Sequence, residues 1–340
     1  MKKKRMLAAA AVTGLSFLCG CGRTQEDTAK IQVGVACYDE SDTFIGTLVE
    51  SLKEQLAEYQ TEERSVTVTV MDAAGMQRTQ NDQIRELIRY GCNVLCVNLV
   101  DRTDPSEIID LAREQEVPII FFNREPVSED MLQWNRLYYV GAYAKQSGMM
   151  QGELAAAAIQ ADSGIDRNRD GKIQYVVLEG ELGHQDSIIR TENAVEAMKK
   201  SGIMLEKLSY DIANWSRAQA QNRMTQLIGE FSDKIELVLA NNDDMALGAL
   251  DAYEKLNFTE TSLPVFFGID GTEAGLEAVL DGRMAGTVYN DKDGQAQAMA
   301  KLAVALAEGE EIPDFAFENE KYIYLPYEKV TKENVGEFMD

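Results

Sequence analysis

The chain has 340 residues, of which 57 are acidic and 33 are basic, giving a formal net charge of −24 at pH 7. So acidic a surface repels phosphate groups, which argues against nucleic acid or anionic lipid as a binding partner. A chain of this length also exceeds one comfortable hydrophobic core, so we expect two domains.

Residues 1–20 have the pattern of an export signal. Basic residues at positions 2–5 precede the apolar stretch MLAAAAVTGLSFL, which is too short for an ordinary transmembrane helix. The stretch ends in LCGC, which resembles the bacterial lipoprotein processing box and implies that Cys21 is lipidated and becomes the mature N-terminus. A plain secretory peptide is the alternative. We expect residues 21–30 to form a polar tether, and loss of the basic head takes the formal charge to −28.

The body of the chain alternates short β-branched runs with amphipathic helical runs. The predicted strands are IQVGVACY, SVTVTVMDA, NVLCVNLV, VPIIFFN, RLYYVGA, IQYVVLEG, MLEKLSYD, IELVLANN, LPVFFGID and MAGTVYN, followed by a last helix and the extended tail KYIYLPYEKV. This alternation predicts an α/β fold in which parallel sheets are covered by helices on both faces. The number of strands fits two such domains better than one sheet. Neither a glycine-rich dinucleotide fingerprint nor a P-loop is present, so nucleotide binding has little support.

Three cysteines of the body, Cys37, Cys92 and Cys96, lie in or beside apolar strands. An odd number in such positions indicates buried thiols and not a disulfide framework. Cys92 and Cys96 have no second Cys/His pair to complete a zinc site.

Polar residues recur at the carboxyl ends of the predicted strands. They are Asp42, with Phe44 beside it, and Asn98, Asn123, Asn242, Asp270 and Asn290. In open parallel sheets, ligands bind outside the carboxyl ends of the strands. Each residue taken alone could simply cap a helix or a turn. Their repetition across two expected domains favours a shared polar cleft.

Residues 166–174, DRNRDGKIQ, match the first nine positions of a calcium-binding EF-hand loop. Side-chain oxygens fall at Asp166, Asn168, Asp170 and Gln174, while Lys172 at position seven would contribute only its backbone carbonyl. Position twelve, which needs a bidentate glutamate, is Val177 in a strand-like run. The loop is therefore either a calcium site completed from elsewhere in the chain or a solvated acidic turn.

From about Ile31 to Asp340, the chain resembles the galactose/glucose-binding proteins, sugar receptors of ABC transporters. The stretches that carry the resemblance are VGVACYDESDTF, QNDQIRELI, VNLVD, VPIIFFNREP, YYVGA, DRNRDGKIQ, EGELGHQDSIIRT, IELVLANNDDMALGA, FFGID and AGTVYND. The resemblance implies the type I periplasmic binding protein fold, two Rossmann-like parallel-sheet domains joined by a three-strand hinge. The expected N-terminal lobe is 31–122 plus 291–323, and the C-terminal lobe is 123–290 plus 324–340, with crossovers near Asn123, Asn290 and Tyr324.

The resemblance also implies a set of sugar contacts. They are Asp42, Asn98, His184, Asp186, Arg190, Asn242, Asp270 and Asn290, with Phe44 and Trp215 as the two aromatic rings on either face of the pyranose. Carboxylates, amides and a guanidinium suit the hydroxyl rim of a hexose, and aromatic rings suit its C–H faces. Without the resemblance, Trp215 could pack beneath a loop, Phe44 could belong to the core and Arg190 could form a surface ion pair. Gln185 stands where the family usually has proline.

The resemblance nominates Glu236, at the head of IELVLANN, as the missing bidentate calcium ligand. A loop completed by a distant strand should not open as a sensor EF-hand does, so calcium would be structural and would stabilise the fold. Millimolar calcium outside the cell could fill even a weak site.

These features together predict a monomeric, non-enzymatic receptor for D-galactose and D-glucose, anchored through Cys21 to the outer face of the cytoplasmic membrane and serving an ABC permease. The alternative within the same fold is a receptor that presents sugar to a chemoreceptor or a sensor kinase. A glycoside hydrolase using Asp186 and Asp270 is disfavoured, because a ring of amides suits binding better than bond cleavage.

Overall fold

The computed structural model describes residues 29–259 and 262–339. The predicted export signal, the lipidation site Cys21 and most of the tether lie outside these residues. Among the described helices, none is long and apolar enough to cross a membrane.

The described elements alternate along the chain as predicted. The strands are β1 (Ala29–Cys37), β2 (Arg64–Asp72), β3 (Val94–Val97), β4 (Ile119–Phe122), β5 (Leu137–Ala142), β6 (Ile173–Glu179), β7 (Leu205–Ile212), β8 (Leu237–Ala240), β9 (Val265–Phe267), β10 (Thr287–Asn290), β11 (Tyr322–Leu325) and β12 (Tyr327–Val330). The helices are α1 (Thr43–Ala57), α2 (Gln77–Arg89), α3 (Ser106–Glu114), α4 (Ser128–Met131), α5 (Ala144–Ala161), α6 (Gln185–Lys200), α7 (Arg217–Phe231), α8 (Asp243–Lys255), α9 (Glu273–Leu280) and α10 (Lys292–Glu308).

Each lobe has one main parallel sheet, and β10 and β12 form a two-stranded sheet beside the second of them. The first has the order β11-β5-β4-β3-β1-β2, with every pair parallel. The second has the order β7-β6-β8-β9, and parallel bridges from Phe267 to Gly286 and from Asp270 to Tyr289 attach β10 at its edge. β12 pairs antiparallel with β10 beyond that edge. The predicted α/β class with two Rossmann-like lobes is confirmed.

Each sheet is covered on both faces, because its strands are apolar on both sides. In the first lobe, one core cluster joins the sheet to α1 and α10, and another joins its opposite face to α2 and α3. In the second lobe, the corresponding clusters contain α7 with α8 and α5 with α6. Parallel strands buried on both faces need such three-layer packing.

The chain passes between the lobes three times: between β5 and α5, between β10 and α10, and at Pro326 between β11 and β12. The expected boundary after Phe122 differs from the structure, because β5 pairs with β4 in the first sheet and residues 123–142 therefore belong to the first lobe. Likewise Tyr324 lies in β11 of the first sheet and not in the second lobe. A strand that is apolar on both faces has the same sequence pattern in either sheet, so the periodicity of the sequence could not locate the crossover.

Candidate functional site

The carboxyl ends of the two sheets face each other across a cavity that residues of both lobes line. Its lining from the first lobe is Tyr38, Asp42, Phe44, Asn123 and Arg124, and from the second lobe it is His184, Asp186, Arg190, Trp215, Asn242 and Asp270. The fold thus brings together eight of the ten predicted sugar-contact residues, although they are spread over more than 200 positions of the sequence.

Asn98 and Asn290 were also predicted to contact sugar, but neither lines the cavity. Asn98 is fully buried, and its amide donates to the Phe122 carbonyl at 3.1 Å and to Asn123 Oδ1 at 3.2 Å. Asn290 is 3 % exposed, and its Oδ1 accepts a 2.7 Å hydrogen bond from Gln295. Both residues therefore lie behind the lining and support it. A position at a strand end does not by itself determine the direction of the side chain.

The sequence reasoning missed Tyr38 and Arg124. The Arg124 guanidinium lies 3.5 Å from the centroid of the Tyr38 ring, and the Tyr38 hydroxyl donates to Asp42 Oδ2 at 2.5 Å. Arg124 also donates to Val100 O at 3.0 Å and, across the cleft, to Glu181 Oε1 at 2.7 Å. Tyr38 directly follows β1 and Arg124 lies two residues after β4, so a search of strand ends for all polar types, and not only Asn and Asp, would have found them.

Two aromatic rings reach the cavity from opposite lobes. Phe44, at the start of α1, is 6 % exposed, and Asp42 caps that helix by accepting from the Ile45 N–H at 3.2 Å. Trp215 lies beside Gly180, where an added Cβ would come within 2.1 Å of the indole, so only glycine fits there. The His184 ring meets the indole edge-on at 5.2 Å, which further fixes its orientation.

His184 supplies a neutral imidazole. Burial, followed by the charges of Arg124 and Arg190, lowers the pKa of His184 to about 3. Its Nδ1 accepts a 3.2 Å hydrogen bond from the Asp186 N–H, so the proton resides on Nε2. The neutral ring can therefore donate one hydrogen bond to a ligand through Nε2.

The cavity combines carboxylates with guanidinium groups. Burial raises the pKa of Asp186, and the charges of Arg190, Arg124 and Arg102 oppose that rise. Burial also raises the pKa of Asp270, which lies 3.6 Å from Arg190. Such opposed charges in a confined space offer donors and acceptors to a neutral polyol without leaving a large net charge unbalanced.

The guanidinium of Arg190 leaves its Nε–H without an acceptor in the described part of the chain. Its Nη1 donates to the Asn241 carbonyl at 2.6 Å, and its Nη2 donates to the Tyr327 hydroxyl at 3.1 Å. Its Nε is buried and has no hydrogen-bond partner among the described residues. Because an unpaired buried donor is unfavourable, this atom is suited to a ligand oxygen.

Three lining residues adopt backbone conformations with positive φ, which residues other than glycine seldom adopt. Their φ angles are 59° at Asn123, 61° at Trp215 and 112° at Asp270. Such residues cost on the order of 1–3 kcal/mol each and persist where the surrounding structure fixes them, commonly at ligand sites. The cavity is therefore held in shape by its surroundings.

The predicted calcium loop is closed by Glu236, which is 2 % exposed. One carboxylate oxygen accepts from the Arg167 N–H at 2.7 Å, and the other accepts from the Gln174 N–H at 3.0 Å. Within the loop, Asp166 accepts from the Asp170 and Gly171 N–H groups at 3.2 and 2.9 Å. The contact between this loop and the distant head of β8 is therefore present.

The atoms that this loop could offer to a cation are oxygen atoms. Asn168 Nδ2 donates to Asp170 at 3.2 Å and to Gln174 Oε1 at 3.0 Å, so these side chains converge on one another. Lys172 turns its amine away to Glu206 at 3.1 Å. Nowhere in the described ranges do three or more His, Cys, Asp and Glu side chains form a metal-holding group. A cation here would therefore rely on amide and backbone oxygens as well as carboxylates, a mixture that suits Ca²⁺.

Comparisons with known proteins agree with this architecture. The profile of the periplasmic binding protein domain matches residues 33–311. The D-galactose/methyl-galactoside binding periplasmic protein of Haemophilus influenzae is 32% identical over 98% of this chain and 100% of its own length. A putative rhizopine-binding protein of Rhizobium meliloti is 29% identical over 91% of this chain and 92% of its own.

Among solved structures, an ABC transporter solute-binding protein of Bacillus halodurans with bound myo-inositol superposes with a TM-score of 0.76 and is 29% identical, covering 92% of this chain and 98% of its own. The extent of these matches, together with two lobes that enclose a polar cavity, assigns the family. This chain belongs to the periplasmic binding protein family, whose members are solute receptors and not enzymes.

Proposed function

We propose that the protein is the extracytoplasmic receptor of an ABC sugar importer and that its ligand is a hexose, D-galactose or D-glucose. A sugar-binding receptor of an ABC transporter is the function that the family match supports. The narrower choice of hexose draws on the relative from Haemophilus influenzae, whose name specifies galactose. The observation that carries the proposal is the cavity itself, to which Phe44 and Trp215 contribute aromatic rings from opposite lobes.

The cavity residues divide the recognition of a pyranose between its faces and its rim. The Phe44 and Trp215 rings cover C–H surface without requiring polar partners. The Asp186 and Asp270 carboxylates accept from hydroxyls, while Arg190 Nε and His184 Nε2 donate to them. A sugar that lacks a matching hydroxyl would leave one of these groups unpaired, at about 1–3 kcal/mol.

Binding would bring the lobes together around the sugar, because each lobe holds part of the lining. Two contacts already join the lobes across the cleft: Thr43 Oγ1 donates to Asp244 at 2.6 Å, and Arg124 pairs with Glu181. Hinge closure of this kind encloses the ligand and produces a distinct surface. That surface is what an ABC permease would recognise.

Anchoring through a lipid on Cys21 completes the proposal for location. It rests on the LCGC sequence and the basic, apolar segment before it. A lipid at this cysteine would hold the receptor at the outer face of the cytoplasmic membrane, close to its permease. Metabolic labelling with a fatty acid tests the anchor, and absence of label from the mature protein would contradict it.

A structural calcium ion is also proposed, in the loop closed by Glu236. Asp166, Asn168, Asp170, Gln174 and Glu236 would supply side-chain oxygens, and Lys172 would supply its carbonyl. When bound, the ion would add its binding free energy to the stability of the second lobe.

Calorimetric titration with a panel of monosaccharides tests the hexose assignment, and Trp215→Ala tests the site. We expect galactose or glucose to bind the wild type and Trp215→Ala to weaken that binding at least a hundredfold. Trp134→Ala is the matched control, because Trp134 is the other tryptophan and packs in the first lobe away from the cavity. No hexose binding in the wild type, or equal affinity in Trp215→Ala, would overturn the assignment.

A further inference from the structure

The third crossover places a buried tyrosine against the arginine of the cavity. Tyr327 is the first residue of β12, directly after the crossover at Pro326, and it is 3 % exposed. Its hydroxyl accepts the 3.1 Å hydrogen bond from Arg190 Nη2, and its N–H donates to Gln146 Oε1 at 3.1 Å. Tyr327 does not itself line the cavity. The contact of its hydroxyl with a residue that does line the cavity is the hydrogen bond from Arg190.

The guanidinium of Arg190 is held at both terminal nitrogens. Nη1 is fixed by the Asn241 carbonyl at 2.6 Å and by Asp270 at 3.6 Å, while Nη2 is fixed by the Tyr327 hydroxyl. Because the group is planar and rigid, fixing both ends sets the direction of the remaining N–H at Nε. That Nε is the buried donor without a partner among the described residues.

We propose that Tyr327 is a positioning residue for sugar binding, whose hydroxyl orients Arg190 so that its Nε–H is presented to a ligand oxygen. This inference rests on the proposed hexose-binding function. Tyr327 pairs with Asn290 between β12 and β10, and the Asn290 N–H donates to the Asp270 carbonyl at 3.0 Å. The orientation of the pocket arginine is therefore tied to β10 and β12, two strands that adjoin crossovers.

A structural role is the competing explanation, since the Tyr327 ring also packs in the core of the second lobe. Tyr327→Phe separates the two, because it keeps the ring and removes only the hydroxyl. Hydrogen bonds to charged groups are among the stronger ones, so we expect the Kd for galactose to rise about tenfold. The melting temperature without sugar should change by no more than a few degrees.

The matched control is Tyr253→Phe. Tyr253 is 1 % exposed, packs in the core of the same lobe on the other face of the sheet, and has a hydroxyl without a hydrogen-bond partner among the described residues. The substitution Tyr253→Phe should leave the Kd for galactose unchanged. A Kd for Tyr327→Phe within twofold of the wild type would overturn the proposal.

A double-substitution cycle with Arg190→Lys tests whether Tyr327 acts through the guanidinium. In the lysine background, adding Tyr327→Phe should change the Kd by less than about twofold, because no guanidinium remains to be oriented. A tenfold loss in both backgrounds would show that the hydroxyl acts independently of Arg190 and would refute the proposal.

A ligand-free measurement keeps this test separate from the identity of the sugar. The ¹⁵N-bound proton of Arg190 Nε, assigned by its absence in Arg190→Lys, should exchange slowly with water in the wild type because the atom is buried. Tyr327→Phe should speed that exchange at least tenfold, and an unchanged rate would refute the positioning role. If no hexose binds the wild type, the proposed function fails, while this exchange rate still decides the role of Tyr327.

Discussion

Replacing Glu236 by glutamine should abolish the stabilisation of this protein by calcium. The substitution removes the charge of a carboxylate that is 2 % exposed and in contact with both ends of the 166–174 loop. Glutamine offers one oxygen in place of two, so it cannot bind the ion through both. We therefore expect calcium to raise the melting temperature of the wild type and to have little effect on Glu236→Gln.

The magnitude follows from mass action. A ligand present at a hundredfold above its Kd stabilises the folded state by about 2.7 kcal/mol. In a unit of 150–250 residues, each kcal/mol shifts the melting temperature by about 2–4 °C, so the expected difference between saturating calcium and chelator is about 5–10 °C. An extracytoplasmic site with a Kd well below millimolar would reach this range.

The assay is thermal unfolding with added calcium or with a chelator, compared between variants. The calcium-dependent shift is the measured quantity, because Glu236→Gln also disturbs the hydrogen bonds from Arg167 and Gln174 and lowers stability without the ion. Glu206→Gln is the control: its side chain is exposed and pairs with the Lys172 amine beside the loop. An equal shift in the wild type and Glu236→Gln would refute Glu236 as a ligand, and no shift in the wild type would refute the site.

Two further substitutions test the cavity and the closure of the lobes. Glu181→Gln removes the charge that faces Arg124 at 2.7 Å, and because the Glu181 side chain is 36% exposed, the binding free energy of the sugar should fall by about 1 kcal/mol. This corresponds to a fivefold rise in the Kd, which stopped flow should register as faster dissociation of the sugar. An unchanged dissociation rate would contradict a role in closure. Gly180→Ala places a Cβ 2.1 Å from the Trp215 indole and should weaken binding more than tenfold by calorimetry, whereas Gly229→Ala, with open space around its Cβ, should not; equal affinities would mean that the indole position is not critical.

The fold class could be predicted because strand–helix alternation leaves few architectures that bury every apolar face. The boundary between lobes could not be predicted, since β4 and β5 are both largely buried strands and either could begin a second sheet. Their assignment to one sheet depends on pairing between Phe121 and Tyr139, which is a long-range contact with no local signature.

The candidate site was predictable to the extent that position along a strand fixes where a residue lies. Asp42 and Asp270 stand at strand ends and reach the cavity. Asn98 stands at a strand end too, yet its amide turns to the Phe122 carbonyl, because a buried backbone acceptor there needs a donor. Arg124 depends on stacking with Tyr38, whose distance in sequence hides the contact. The direction in which a side chain points and the group that it contacts depend on the tertiary structure, and residue type alone does not determine them.

The base of the cavity and the hinge share residues, and this has a consequence for affinity. Asp270 takes an unfavourable φ of 112°, and the N–H of Asn290 donates to its carbonyl, while Asn290 pairs with Tyr327 at the start of β12. The backbone shape that presents the Asp270 carboxylate is thus fixed by strands that adjoin two crossovers. Any change that alters how these strands pair must alter the cavity, even without touching the ligand. Sugar affinity in this protein should therefore respond to substitutions in the hinge as well as to those in the lining.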